Sequence, residues 1–448
     1  MKSDRVDMLN GALTANIVRF SLPIVITSVV QQLFNSADTA VIGKFGENGA
    51  LAAVGTNGEI VAMIVSLSAG LSIGSNVLIS KYIGAGKQEK SETAIKTSMI
   101  FSLIFGIVFA VIGALSAMPL LKLINTPPDI LQNAVKYLRL YCLSIPFLLI
   151  YDFAAAAFKA KGDSRTPLTA LIFSGAVNVI LNLFFVIVCR LNVVGVALAT
   201  VISTAVSAVI TVYRLIRQKD DSGLTSANFD MDCFVQIIRI GLPAALQGAV
   251  FCFANIFVQA SVNTFGAEAS AGSSIAMTFE YFAYYVITSL GQAATTFISQ
   301  NYAAQKLGRC KKIMRICLFI AFASCAAITV PLTVFSHQAS AIFTSNSTEA
   351  DMSCLRISLI LMFEPICAFY EIPASAMRGL GYSAIPAIET IIGICLFRIV
   401  WIFTLFRYFN TLQSLYAVFP LTWIVTSAAV AFSYCVIWRK IKNSCQTP

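Results

Sequence analysis

Apolar runs of about 20 residues recur from one end of the chain to the other, separated by short polar turns. A run of that length is what a helix needs to cross a bilayer, and only helices or closed barrels satisfy their backbone groups there. The pattern therefore demands a polytopic helical membrane protein. Period-2 alternation is missing, which argues against an outer-membrane barrel. Composition agrees: 58% of residues are hydrophobic and 12% charged, against about a quarter charged in a soluble chain. A soluble multidomain protein and a disordered chain are excluded. The net charge of +10 does not mark a nucleic-acid binder, because the basic residues lie in short clusters between the runs and line no single face.

The runs predict twelve helices, over about 17–43, 51–79, 94–118, 131–158, 166–189, 193–216, 234–263, 269–302, 314–335, 353–377, 384–407 and 415–438. Several exceed the length needed to cross, so tilt or cytoplasmic extension is expected. Lys and Arg orient them. With both termini inside, the cytoplasmic segments collect Lys81, Lys87, Lys90 and Lys96; Lys159, Lys161 and Arg165; Arg214 and Arg217; Lys306, Arg309, Lys311, Lys312 and Arg315; Arg378; and Arg439, Lys440 and Lys442. The opposite loops hold little more than Lys44, Lys122, Arg190 and Arg407. The expected location is the inner membrane of a prokaryotic cell, with anionic lipid as the partner of the basic turns.

The chain also aligns on itself at a shift of about 220 residues. Leu22-Pro23 matches Leu242-Pro243, Asn35 matches Asn255, Pro146 matches Pro365, and Tyr151-Asp152 matches Tyr370-Glu371. The clearest segment is 157–167 against 376–386, where Gly162, Ser164 and Pro167 fall on Gly381, Ser383 and Pro386, and Lys159 falls on Arg378. Six spans per half is an even number, so both halves enter the membrane in the same direction. The expected fold is all-α: two six-helix lobes related by a parallel pseudo-two-fold repeat. Residues 1–217 form the first lobe, 218–232 a cytoplasmic linker and 233–448 the second lobe. Duplicated lobes with a path between them suit a transporter that alternates access by rocking.

Polar residues inside the membrane are expensive and mark candidate sites. Gln31, Asn35 and Asp38 share one face of span 1 (17–43), and Pro23 earlier in that span permits a bend as a hinge. A carboxyl in mid-membrane can exist as a neutral acid and exchange a proton. Asn178 and Asn182 lie one turn apart on span 5 (166–189) and Thr200 on span 6 (193–216); their oxygens can bond a protonated Asp or coordinate a hard cation. Such Asn pairs also serve as glue between helices. In the second half, Glu280, Tyr284 and Thr288 form one stripe on span 8 (269–302), with Tyr281 and Tyr285 alongside, and Asn255, Gln259 and Asn263 form another on span 7 (234–263). A carboxylate beside aromatic faces suits an organic cation as substrate. Asp152 with Lys159, and Glu371 with Arg378, are repeat partners near the cytoplasmic ends, and read as structural or gating ion pairs. Glu59 and Glu364 are intramembrane acids with no specific reading.

The 12 Cys are scattered, without a Cys-x-x-Cys pair, and His337 is the single His; a metal site is not expected, and buried Cys reads as a small hydrophobe. The chain lacks a Walker loop and a Gly-x-Ser-x-Gly motif. No cofactor and no enzymatic activity are expected, and the energy would come from an ion gradient.

The run Leu22-Pro23…Asp38-Thr-Ala-Val-Ile-Gly43…Leu51-Ala-Ala-Val-Gly55 resembles the first two helices of MATE transporters (multidrug and toxic compound extrusion). Gly70…Gly74…Ile83-Gly-Ala85, Gly162-Asp163-Ser164, Asn178…Asn182 and Gly195-Val-Ala-Leu-Ala-Thr200 add to the resemblance, which covers essentially the whole chain. The context of Glu280 resembles the prokaryotic, DNA-damage-inducible F-like branch. The resemblance implies twelve helices in two lobes around a V-shaped cleft, and efflux of cationic, often aromatic drugs by H⁺ or Na⁺ antiport. It also implies that Asp38 works with Asn178, Asn182 and Thr200 as the coupling site, Asn182 standing where many relatives carry Asp. Gln31, Asn35, Glu280, Tyr284, Asn255 and Gln259 are the candidate substrate contacts. The chain is expected to act as a monomer. Two alternatives are a flippase for lipid-linked oligosaccharide, which needs a more basic cavity than Arg356, Arg398 and Arg407 offer, and an exporter of one endogenous metabolite.

Overall fold

The computed structural model describes residues 5–47, 49–124, 126–217 and 229–444. Most of the expected linker, 218–228, lies outside the described residues. Among them the chain forms twelve long helical segments. In the N-terminal half these are α1 (Leu13–Phe45), α2 (Ala50–Gly84), α3 (Gln88–Leu123), α4 (Pro128–Cys142 and Ile145–Ala160), α5 (Arg165–Val188) and α6 (Asn192–Arg217). The C-terminal half follows with α7 (Met231–Asn263), α8 (Ala267–Ala303), α9 (Leu307–Val334), α10 (Ser347–Gly379), α11 (Ala384–Phe409) and α12 (Leu412–Ser444).

Ten of these are long and apolar enough to cross a membrane outright, and α4 qualifies as one span bent by 43° between its two parts. The twelfth, α8, is 37 residues long and more polar, since it carries Glu280 and a run of Ser, Thr and Tyr. Outward faces are apolar, the reverse of a soluble protein. On α3, Ile104, Ile107, Val111 and Leu115 are exposed, whereas Phe101, Ser102, Gly106 and Ala110 are buried. A lipid solvent makes that arrangement stable.

Several helices are less regular than the predicted spans. The break in α4 falls at Leu143 and Ser144, just before Pro146, whose ring cannot sit inside an unbroken ladder. Its repeat counterpart Pro365 lies in a tighter 3₁₀ stretch, Leu361–Cys367, within α10. Short π-turns close α5 (Phe184–Val188) and interrupt α11 (Ile391–Leu396). Pro23 lies within α1, which stays helical through it.

The contacts group into two compact units, Met1–Asp7 with Leu22–Ala245, and Met8–Ser21 with Leu246–Pro448. The first turns of α1 thus group with the second unit, and those of α7 with the first. Within the first unit α4 packs on α2, α3 and α6, and α5 on α6; within the second, α8 packs on α9 and α10, and α10 on α12. In the first unit α2 and α7 approach backbone to backbone. A Cβ at Gly70 would lie 2.3 Å from Ala245 Cα, and one at Gly74 2.1 Å from the Ile237 carbonyl oxygen. Small residues at such crossings let membrane helices gain contact where no hydrophobic drive exists.

The repeat is visible in the turns. Gly162 (φ 83°) and Gly381 (φ 93°) close α4 and α10 in the left-handed region. After each, an amide reaches back five residues, Asp163 N to Phe158 O and Tyr382 N to Met377 O, both at 2.9 Å. This is the Schellman closure, which favours Gly at that place. Gly162 has a second reason to lack a side chain: its carbonyl accepts from Val6 N at 3.0 Å, and a Cβ would lie 2.5 Å from Val6 O.

Candidate functional site

In the first unit the site is registered by a single close contact. Gly175 on α5 leaves room for the ring of Phe34 on α1; a Cβ there would sit 1.6 Å from the ring. One helical turn further along stand Asp38 on α1 and Asn178 on α5, with Asn182 one turn beyond Asn178. Packing Phe34 on Gly175 therefore brings the carboxyl against the amides. Asn182 Nδ2 donates a short hydrogen bond to Asp38 Oδ1 and a second, at 3.2 Å, to Asn178 Oδ1. Asn178 Nδ2 points on to Ser203 Oγ on α6 at 3.4 Å. The Ser203 carbonyl accepts from Ser174 Oγ at 2.6 Å, which ties α5 to α6. Asn178 and Asn182 are buried, and Asp38 is half-buried.

The amide oxygen Oδ1 of Asn182 is buried with no partner. Its own Nδ2 is already bonded to Asp38, so the free oxygen belongs to an amide held against the carboxyl. A neutral carboxylic acid can donate to such an oxygen, and a hard cation can be ligated by it. The pair can thus serve the carboxylate through the amide N–H, and a proton or a cation through the amide oxygen.

Thr200 joins this chain of bonds only through its backbone carbonyl, which accepts from Ser203 Oγ at 3.0 Å; its side chain does not. Its hydroxyl is taken by the Val196 carbonyl at 3.0 Å, and Ser203 stands in contact with the Asn pair instead. Residue type in the sequence could not separate the two, because both lie on the polar face of α6. Tyr137 and Tyr141 on α4, stacked at 6.1 Å and buried, are within electrostatic range of Asp38 and were not among the candidates. Gln31 is half-buried and Asn35 exposed on α1.

In the second unit the Glu280 stripe divides among different neighbours. Arg356 on α10 takes both carboxylate oxygens of Glu280: Nε donates to Oε1 at 2.7 Å and Nη2 to Oε2 at 2.8 Å. Arg356 Nη1 donates to Ser273 Oγ at 2.8 Å. Glu280 is thus neutralised within the chain and is not the bare carboxylate that an organic cation would need. Tyr284 lies instead among Tyr370, Cys367 and Glu371, and Thr288 Oγ1 returns to the Tyr284 carbonyl at 3.2 Å. On α7, Gln259 Nε2 donates to Asn263 Oδ1 at 2.9 Å, while Asn255 is half-buried.

The two repeat-related acids near the helix ends are engaged differently. Arg378 Nη1 donates to Glu371 Oε1 at 3.1 Å and Nη2 to Gln247 Oε1 at 2.9 Å. Asp152 accepts from Ser68 Oγ at 2.5 Å and lies within electrostatic range of Lys159. Glu364 is buried on α10 near Glu280 and Arg356, with Oε2 unpartnered.

Twelve helical segments, a doubled architecture and a carboxyl–amide site within a lobe define a polytopic membrane transporter of two six-helix lobes. The MatE family model matches twice, at residues 23–184 and 243–404, an offset that reproduces the internal repeat. The chain belongs to the MatE family, whose members are transporters and not enzymes. It is 24% identical to "Probable multidrug resistance protein YoeA" of Bacillus subtilis over 431 residues, 94% of this chain and 93% of that protein. It is also 24% identical to "Probable multidrug resistance protein NorM" of Thermotoga maritima, over 88% and 86% of the two chains. A solved structure titled as MATE in complex with MaL6 superposes with a TM-score of 0.91 at 22% identity, over 99% of this chain and 100% of that one.

Proposed function

We propose that this protein is a secondary active antiporter that exports small aromatic drugs or toxic compounds, cationic ones among them, in exchange for H⁺ or Na⁺. It works by alternating access as a monomer in the inner membrane, with both termini cytoplasmic. The observation that carries the reading is the Asp38–Asn182 pair with its unpartnered amide oxygen. In the ion-free state the carboxylate is held by the amide N–H. A proton on Asp38 would turn the carboxyl into a donor for Asn182 Oδ1, and a sodium ion would instead be ligated by both oxygens. Either event removes a net charge from the lobe, which lowers the cost of moving the site through the membrane interior. Loss of the ion restores the charge and makes the site ready for a substrate cation. The names of the relatives, both multidrug resistance proteins, support the substrate class.

The test is ethidium accumulation in inside-out vesicles containing the protein, with pH and Na⁺ gradients imposed separately. Accumulation that follows one of the two gradients is expected. Accumulation indifferent to both would overturn the coupling.

A further inference from the structure

The second unit holds three buried arginines, Arg356, Arg378 and Arg398; the first two pair with Glu280 and Glu371, and Arg398 forms no such pair among the described residues. Arg356 presents its Nε–Nη2 edge to Glu280 and makes the two parallel bonds that a planar guanidinium offers a carboxylate. Arg398, in the middle of α11, is 1% exposed, and the same two atoms, Nε and Nη2, have no hydrogen-bond partner. Two acids of this unit, Glu364 and Glu389, each keep one unpartnered oxygen, and neither forms an ion pair with Arg398.

Aromatic rings flank the guanidinium. Its central carbon lies 4.0 Å from the centroid of Phe419 and 5.6 Å from that of Phe251. Arg356 lies 5.7 Å from the same Phe419 ring. Ring faces hold a cation in place but offer no acceptor to its N–H groups. A buried charge with an unpartnered Nε–Nη2 edge is costly, and in a membrane segment it marks a binding function by default. The fork that is filled at Arg356 shows what shape fills the one at Arg398: two oxygens of one anionic group.

We infer that Arg398 is a recognition point for an oxyanion, a carboxylate or phosphate, carried by a ligand whose flat aromatic part packs among Phe251 and Phe419. This deepens the export reading and rests on it: the substrate range includes aromatic compounds with an acidic group, and Arg398 selects for that group. The oxyanion could come from the transported solute or from an anionic lipid headgroup, and the two sources can be separated experimentally.

The test uses the purified full chain in nanodiscs and a matched pair of fluorescent probes. Flavin mononucleotide and riboflavin share a ring system and differ by one phosphate. In phosphatidylcholine discs the wild type should bind flavin mononucleotide at least about tenfold tighter than riboflavin, as expected for one bidentate charge-assisted contact. Arg398→Gln should remove that preference and leave riboflavin binding unchanged. Arg398→Lys, which keeps the charge but lacks the fork, should retain only part of it and serves if the Gln variant does not fold. If lipid is the source, phosphatidylglycerol discs should raise the melting temperature of the wild type and not of the variant, and should compete with the nucleotide; this also supports the assignment. Equal affinity for the two flavins in the wild type, with no effect of phosphatidylglycerol, overturns it. So does a preference that survives Arg398→Gln. Ethidium efflux by the wild type is measured in parallel: efflux with no oxyanion preference refutes the inference alone, whereas absent efflux refutes the export reading.

Discussion

Breaking the Glu280–Arg356 pair should be among the most destabilising single changes in the second unit. The side chains of Arg356 and Glu280 are only 4% and 14% exposed, and two charge-assisted bonds of 2.7 and 2.8 Å join them. Glu280→Gln removes one charge and turns an N–H₂ toward a guanidinium donor. That leaves Arg356 buried with part of its edge unpaired, at a cost of about 3–5 kcal/mol. At about 1.4 kcal/mol per factor of ten, this is roughly a hundred- to several-thousandfold in the unfolding equilibrium. Arg356→Met strands the carboxylate instead and should cost a similar amount. The double variant removes both charges, so its cost should fall about 3 kcal/mol below the sum of the singles. Equilibrium unfolding in mixed micelles, followed by tryptophan fluorescence, reads this directly, because Trp401, Trp423 and Trp438 all lie on α11 and α12. Single variants that each cost below about 1 kcal/mol and add without coupling would refute a buried, mutually dependent pair.

Where Glu280→Gln folds, it should weaken binding of cationic and neutral dyes alike; a loss confined to cations would restore Glu280 as a substrate carboxylate. Gly162→Ala and Gly381→Ala should each cost about 1–2 kcal/mol for the left-handed conformation. Only Gly162→Ala should also speed hydrogen exchange at Val6, because nothing lies within 4 Å of a Cβ at Gly381; equal exchange in the two variants would contradict the close contact at Gly162. Gly175→Ala should slow ion-coupled ethidium efflux at least about tenfold by displacing Phe34 and with it the Asp38–Asn182 register; efflux at the wild-type rate would show that the register does not depend on that contact.

Much of the architecture is legible in one dimension because it is written twice. Gly162 and Gly381 recur at a fixed offset and close equivalent turns, and the Lys and Arg clusters mark the ends of helices and the turns that join them. Helix α8 shows where hydropathy alone runs short: its polar stripe lowers its apolar signal, yet the stripe at helical spacing still reads as one helix. Asp38 and the Asn178–Asn182 pair are legible because each is an uncommon residue in an apolar run. Their meeting is set by Phe34 fitting on Gly175, and a glycine in an apolar run does not announce which ring it will receive. The choice of Ser203 over Thr200 turns on rotation of α6 by a fraction of a turn. Glu280 and Arg356 are 76 residues apart, and spacing along one helix is silent about a partner on another. Arg398 stands out in the sequence as a mid-membrane basic residue, but its lack of a partner is a property of the packed unit.

The central claim, that Asp38 couples ion movement to export, is tested most directly by Asp38→Asn in proteoliposomes. Asparagine keeps the size and can still meet Asn182, but it neither releases a proton nor offers a charge to Na⁺. Under imposed pH or Na⁺ gradients the variant should insert and bind ethidium, yet show no gradient-driven accumulation. Accumulation at the wild-type rate under either gradient would contradict the account and move the coupling site elsewhere in the chain.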